Sequence, residues 1–169
     1  GAQSAMIMID PESGDILGVV GAIGEKQGNR VQNYATDTLR PPGSTVKPLS
    51  IYAPALERGI ITYASVYDDV PYTFKDSNGT FSAWPKNANG VYHGLSTMSY
   101  AMANSTNTIP LQILDELGLS HSFYFLKDKL HLEALIVQNT DKNGAGITDM
   151  DYAALALGQF NYGVSVRDI

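Results

Sequence analysis

Ser44 and Lys47 stand three residues apart in the run Pro41-Pro42-Gly43-Ser44-Thr45-Val46-Lys47-Pro48, where the chain leaves a strong breaker and enters a helical pattern. Residues three apart share a helix face, so a hydroxyl and an amine converge there. A serine hydroxyl is a weak nucleophile until a neighbouring base takes its proton. Lysine, with an ordinary pKa near 10.4, fills that role near neutrality only when burial or nearby positive charge lowers it by several units. A helix N-terminus adds backbone N–H groups beside Ser44 that suit an oxyanion. Such a quartet of residues is cheap by chance, and Ser44 after Pro-Pro-Gly is also a good plain N-cap. A second polar site strengthens the chemical reading. Asn104-Ser105-Thr106-Asn107 interrupts two helical patterns later in the chain. A loop between packed helices points side chains into a shared cleft, with Ser105 as the second hydroxyl of a proton network and Asn107 as an amide for a substrate carbonyl. The competing roles are helix capping for Ser105 and the glycosylation sequons Asn104-Ser105-Thr106 and Asn78-Gly79-Thr80, both weak matches.

The elements that must position these residues follow from periodicity. Apolar runs at 5–9 and 15–20 flank Asp10-Pro11-Glu12-Ser13-Gly14, which predicts a hairpin with both strands half or fully buried. A helix is expected over 44–58, with Val46, Leu49, Tyr52, Ala53 and Leu56 on one face and Gly59 at its end. Residues 63–89, rich in Asp, Asn, Pro, Tyr and Gly, predict an irregular excursion with one short strand. Further helices are expected over 96–103, 108–117 (closed by Gly118), 120–130 and 151–157. A hairpin followed mostly by helices is an α+β domain.

Composition sets the outer bounds. The 169 residues carry 11 Lys+Arg against 17 Asp+Glu, a formal charge of −6, and 44% are hydrophobic, enough for a real core. Without a basic face, nucleic acid is not an expected partner. No apolar run approaches the roughly 18 residues of a membrane span. The absence of Cys excludes disulfides and thiolate chemistry, but not export. His93, His121 and His131 lie far apart without metal-ligand spacing, so neither a metal nor a cofactor is expected. Gly1 is no initiator methionine, and Ser165-Val166-Arg167-Asp168 has the form of a helix start one residue before the last, Ile169. Both predict a piece of a longer chain.

Several motifs together resemble one family. Ile9-Asp10-Pro11-Glu12-Ser13-Gly14-Asp15-Ile16-Leu17, Asn33-Tyr34-Ala35, Arg40-Pro41-Pro42-Gly43-Ser44-Thr45-Val46-Lys47-Pro48, Trp84-Pro85-Lys86-Asn87, Ala103-Asn104-Ser105-Thr106-Asn107, Leu157-Gly158 and Gly163-Val164 follow one another in its order. They resemble the D,D-transpeptidase, or penicillin-binding, domain of class A (bifunctional) penicillin-binding proteins over nearly the whole chain. Ser-x-x-Lys and a Ser-x-Asn element, with Lys-Thr-Gly, make up the set of those proteins and of serine β-lactamases. The resemblance implies Ser44 as acylated nucleophile, Lys47 as general base, Ser105 as proton relay, Asn107 as holder of the donor peptide's amide and Trp84 as a cleft wall, with a core tryptophan as the competing role. Tyr34 stands where the family often has Arg.

No Lys-Thr-Gly or Lys-Ser-Gly occurs in the sequence. The resemblance therefore implies residues 1–169 as the N-terminal part of the domain, an incomplete transpeptidase-like fold of hairpin and helical cluster without the C-terminal sheet strands. It implies peptidoglycan stem peptides and β-lactams as ligands, no cofactor, and a membrane-anchored parent at the extracytoplasmic face of the bacterial membrane. A bare hairpin edge implies self-association of the fragment. The alternatives are a D,D-carboxypeptidase or β-lactamase-type hydrolase, a non-catalytic β-lactam sensor, and a plain α+β domain in which Ser44 and Ser105 are only caps.

Overall fold

The computed structural model describes residues 2–75 and 80–169. The expected hairpin forms from β1 (Met6–Ile9) and β2 (Ile16–Val20), antiparallel with Met6 opposite Val20 and Ile9 opposite Ile16. Asp10 builds the turn: its carboxylate accepts the Glu12 N–H at 2.9 Å, and its carbonyl accepts the Gly14 N–H at 2.8 Å. The expected burial of these strands is wrong. Met6 and Met8 are 53% exposed and Leu17 64%. The apolar runs are present and the turn at Val166–Asp168 packs on β1, but the helical core lies elsewhere.

That core is built around α3 (Thr108–Leu117), where Ile109, Leu111, Ile113 and Leu114 are fully buried. It packs against residues 48–52, α1 (Ala53–Glu57), α4 (Leu119–Tyr124) and α5 (Tyr152–Leu157). α3 has the predicted bounds, and Gly118 closes it at φ +83°. The Asp151 carboxylate caps α5 by accepting the Ala154 N–H at 2.8 Å.

The single helix expected over 44–58 is helical throughout but changes pitch twice. A 3-10 turn over Gly43–Val46 passes into a π turn over Pro48–Tyr52 and then into α1. Pro48 and Pro54 are the physical reason, since each lacks the N–H an α-helix would donate four residues back. The Ser50 carbonyl, which Pro54 cannot reach, accepts the Ser122 hydroxyl at 2.6 Å, and the Ser50 hydroxyl donates to the Leu155 carbonyl at 2.7 Å. Two buried serines thus tie three helical segments together. The helix expected over 120–130 likewise splits into α4 and a π turn over Phe125–Lys129.

The excursion at 63–89 is more ordered than expected. It holds three strands, β3 (Val66–Asp69), β4 (Thr73–Lys75) and β5 (Phe81–Ala83). β4 pairs with β5, whereas β3 pairs with β6 (Gly94–Thr97), which takes Ser96 and Thr97 from the helix expected there. Thr97 instead caps α2 (Met98–Ala103) by accepting the Tyr100 N–H. A short pair, β7 (Asn139–Thr140) with β8 (Gly146–Ile147), was not expected. The sequon residues Asn78 and Gly79 lie outside the described residues. Among the described residues no helix is long and apolar enough to cross a membrane.

Candidate active site

Ser44 sits on the exposed side of the 3-10 turn, and Lys47 lies at the junction where that turn passes into the π turn. The pitch change buries Lys47 to 3% exposure while Ser44 stays open to solvent. Both line one cleft of about 240 Å³, together with Pro48, Tyr52, Met102 and Ser105. A larger hollow of about 550 Å³ runs along 21–34, with none of the candidate residues in its wall.

Two close backbone approaches hold the Ser44 turn. Arg40 and Val164 exchange backbone hydrogen bonds at 2.9 Å in both directions, and the Gly43 N–H donates to the Gly158 carbonyl at 3.2 Å. Gly158 and Gly163 adopt φ +68° and +86°, and a side chain on either would lie within 2.2 Å of the Arg40 or Gly43 backbone. Only glycine fits at these contacts.

The other wall is the break between α2 and α3. Ser105, at φ +49°, turns the chain so that its carbonyl, its hydroxyl, the Thr106 carbonyl and the Asn107 side chain all face Lys47. The Lys47 amine donates to Asn107 Oδ1 at 2.6 Å, to the Thr106 carbonyl at 2.8 Å, to the Ser105 carbonyl at 3.1 Å and to Ser105 Oγ at 3.3 Å. Every one of these partners is uncharged. Burial without a carboxylate in contact pulls the Lys47 amine down to about 8. A neutral amine has two N–H donors and one lone pair. Three of the four contacts, Asn107 Oδ1 and the Thr106 and Ser105 carbonyls, are to oxygens that only accept, and Ser105 Oγ is the one partner of the four that can also donate to a neutral amine.

Asn107 is fixed at both ends. Its Nδ2 donates to the Lys86 carbonyl at 2.7 Å, and its backbone N–H donates to Asn87 Oδ1 at 2.8 Å. One side-chain N–H is left for a ligand. Trp84 is not among the residues that line the Ser44 cleft, and its packing is that of the alternative role, a core tryptophan. Its backbone N–H donates to the Tyr72 carbonyl at 2.9 Å, and its ring packs on the core beside Tyr152.

Two residues of the site escaped the sequence reading of individual roles. Asp69 is fully buried, and Asn87 is 7% exposed. Asn87 Nδ2 donates to both Asp69 carboxylate oxygens, at 2.8 and 3.0 Å, and to the Val91 carbonyl. Thr108 Oγ1 and the His93 N–H also donate to Asp69, at 2.5 and 3.0 Å. Burial alone would raise the Asp69 carboxyl, yet the hydrogen bonds from Thr108, Asn87 and His93 hold it below the usual range. The available signal was an acidic residue on the inward face of a strand, two positions from half-buried Tyr67, but it required β3 to be recognised.

Comparison with known proteins agrees with this architecture. The Transpeptidase family, described as the penicillin binding protein transpeptidase domain, matches residues 4–167. Penicillin-binding protein 1A of Streptococcus pneumoniae is 32% identical over an alignment covering 95% of this chain and 24% of that protein. The chain spans a quarter or less of the length of the curated relatives it matches. Among solved structures, Haemophilus influenzae penicillin-binding protein 1A superposes with a TM-score of 0.73 at 25% identity, covering 92% of this chain and 21% of that one. Mycobacterium tuberculosis PonA1 in complex with penicillin V gives 0.71 at 18% identity, covering 98% and 41%. The α+β fold is that of these domains, and the chain belongs to the penicillin-binding protein transpeptidase family.

Proposed function

We propose that this chain carries the nucleophile half of a peptidoglycan D,D-transpeptidase that works through an acyl-serine. The observation that supports it most is the Lys47 amine. It is buried, free of carboxylate partners among the described residues and held against Ser105 and Asn107, in the wall of the cleft that Ser44 lines. With a pKa of about 8, roughly one-tenth of the amine is neutral at pH 7.

In this reading neutral Lys47 takes the Ser44 proton as Ser44 Oγ attacks the carbonyl carbon of the terminal D,D-peptide bond of a stem peptide. The C–N bond breaks, and Ser105 passes the proton to the leaving amine. The acceptor amine of a second stem peptide then displaces Ser44 and completes the cross-link. Asn107, with its remaining side-chain N–H, holds a carbonyl of the donor peptide. A β-lactam enters the same path, its ring amide standing in for the peptide bond. PonA1, solved with penicillin V, is of the same fold. The parent protein works on the extracytoplasmic face of the membrane, where stem peptides are.

Fluorescent penicillin labelling of the full-length protein tests this. Ser44→Ala should abolish labelling, and Lys47→Arg should do so although it keeps the charge, since guanidinium does not deprotonate. Labelling of Ser44→Ala at the wild-type rate would discard the acyl-serine reading.

A further inference from the structure

The four contacts of Lys47 do not hold themselves in place. Asn107 Oδ1, the nearest acceptor at 2.6 Å, belongs to a side chain that caps nothing on α3. Its direction is set by the Lys86 carbonyl on one side and by its own backbone N–H, held by Asn87, on the other. Asn87 presents its oxygen to that N–H because its NH₂ is turned onto Asp69. A carboxylate only accepts, so the Asn87 amide has one orientation beside it. Asp69 also binds the Thr108 hydroxyl, the next residue after Asn107. It therefore grips Asn107 from both sides.

We propose that Asp69 is a positioning residue for acylation, acting through Asn87 and Thr108 on Asn107 and through Asn107 on the Lys47 amine. This rests on Lys47 being the base, as proposed above. The titratable groups facing the chain are His93, whose Nδ1 lies 3.3 Å from Asp69, and Tyr52 in the Lys47 cleft. Asp69→Asn keeps the shape, but either rotamer sets its NH₂ against an N–H of Asn87. Asn107 Oδ1 then drifts from Lys47. Misplacement of this order slows a positioned reaction by about 10- to 100-fold. Losing an acceptor also disfavours the ammonium form, so the acid limb of the acylation profile moves to lower pH.

The test measures the acylation rate constant of the full-length protein with fluorescent penicillin across pH. Asp69→Asn should acylate about 10- to 100-fold more slowly, label to full stoichiometry in time and show the acid limb at lower pH. Thr108→Val, which removes one hydroxyl, should shift rate and limb in the same direction by less, and it decides the matter if Asp69→Asn is too unstable to assay. A reduced labelled fraction whose molecules react at the wild-type rate with an unmoved limb would reduce Asp69 to a folding role and overturn the inference. Ser44→Ala and Lys47→Arg run alongside. If either labels normally, the acyl-serine reading falls and takes this inference with it. If both fail to label while the Asp69 variant is unchanged, the inference alone falls.

Discussion

At the start of α3, Asn107 holds the residue type best suited to an N-cap, yet its side chain reaches Lys47 and leaves the first-turn N–H groups without it. An N-cap contact of this kind contributes about 0.5–2 kcal/mol, so helix stability is forgone for lysine placement. Asn107→Asp would set a carboxylate against the amine, favour the ammonium form and move the acid limb of acylation above about 8, which a pH–rate profile with penicillin reads directly. In the wild type the rate should rise with pH through about 8. The same shift bears on folding. The folded amine is lowered to about 8 from 10.5, so between those values the unfolded chain binds more protons than the native one. Stability from this group should rise with pH across that window and lie lowest below it. Denaturant titrations at pH 7 and 10, wild type against Lys47→Met, would show the slope disappear in the variant.

Between elements, the glycine contacts decide where the nucleophile stands. A methyl group at Gly158 would meet the Gly43 backbone, one residue before Ser44, and φ +68° disfavours any side chain there. Gly158→Ala should cost about 1–3 kcal/mol from backbone conformation, with more from the clash, and should slow acylation, because the turn that carries Ser44 must move. Thermal unfolding and penicillin labelling check the two halves. The same contacts show what local sequence carries. Ser44, Lys47 and α3 were legible because their signals lie within a few residues: a breaker, a three-residue spacing, an apolar period ended by Gly118. β3 was not, because its partner β6 lies some 25 residues on and Asp68-Asp69 reads as a turn until the pairing is known. The change of pitch after Ser44 could have been read from Pro48 and Pro54, yet the apolar period runs through both. Resemblance alone sets Trp84 on the cleft, and no local signal announces its packing on the core beside Tyr152.

For the molecule as a whole, a well-packed helical cluster coexists with an apolar hairpin exposed along both strands. Such an edge pairs readily with another chain. The 169-residue chain should therefore associate with rising concentration in sedimentation experiments, and Leu17→Lys should weaken that association without unfolding the helices. The sequence also contains no Lys-Thr-Gly. If that motif supplies an oxyanion donor in the full-length protein, as the resemblance implies, the isolated chain should acylate about 100- to 1,000-fold more slowly than the full-length protein, while rapid stoichiometric labelling at Ser44 would refute this. The serine ties have a kinetic side. Ser50 reaches Ser122 across 72 residues of chain and Leu155 across 105, so closing those loops costs entropy before the contacts reward it. The Ser44 segment should thus consolidate after the folding barrier is crossed. Ser122→Ala, costing about 1–3 kcal/mol, should leave the refolding rate almost untouched and appear in stopped-flow measurements as faster unfolding. The nucleophile would then be the last part of the domain to take its place and the first to lose it.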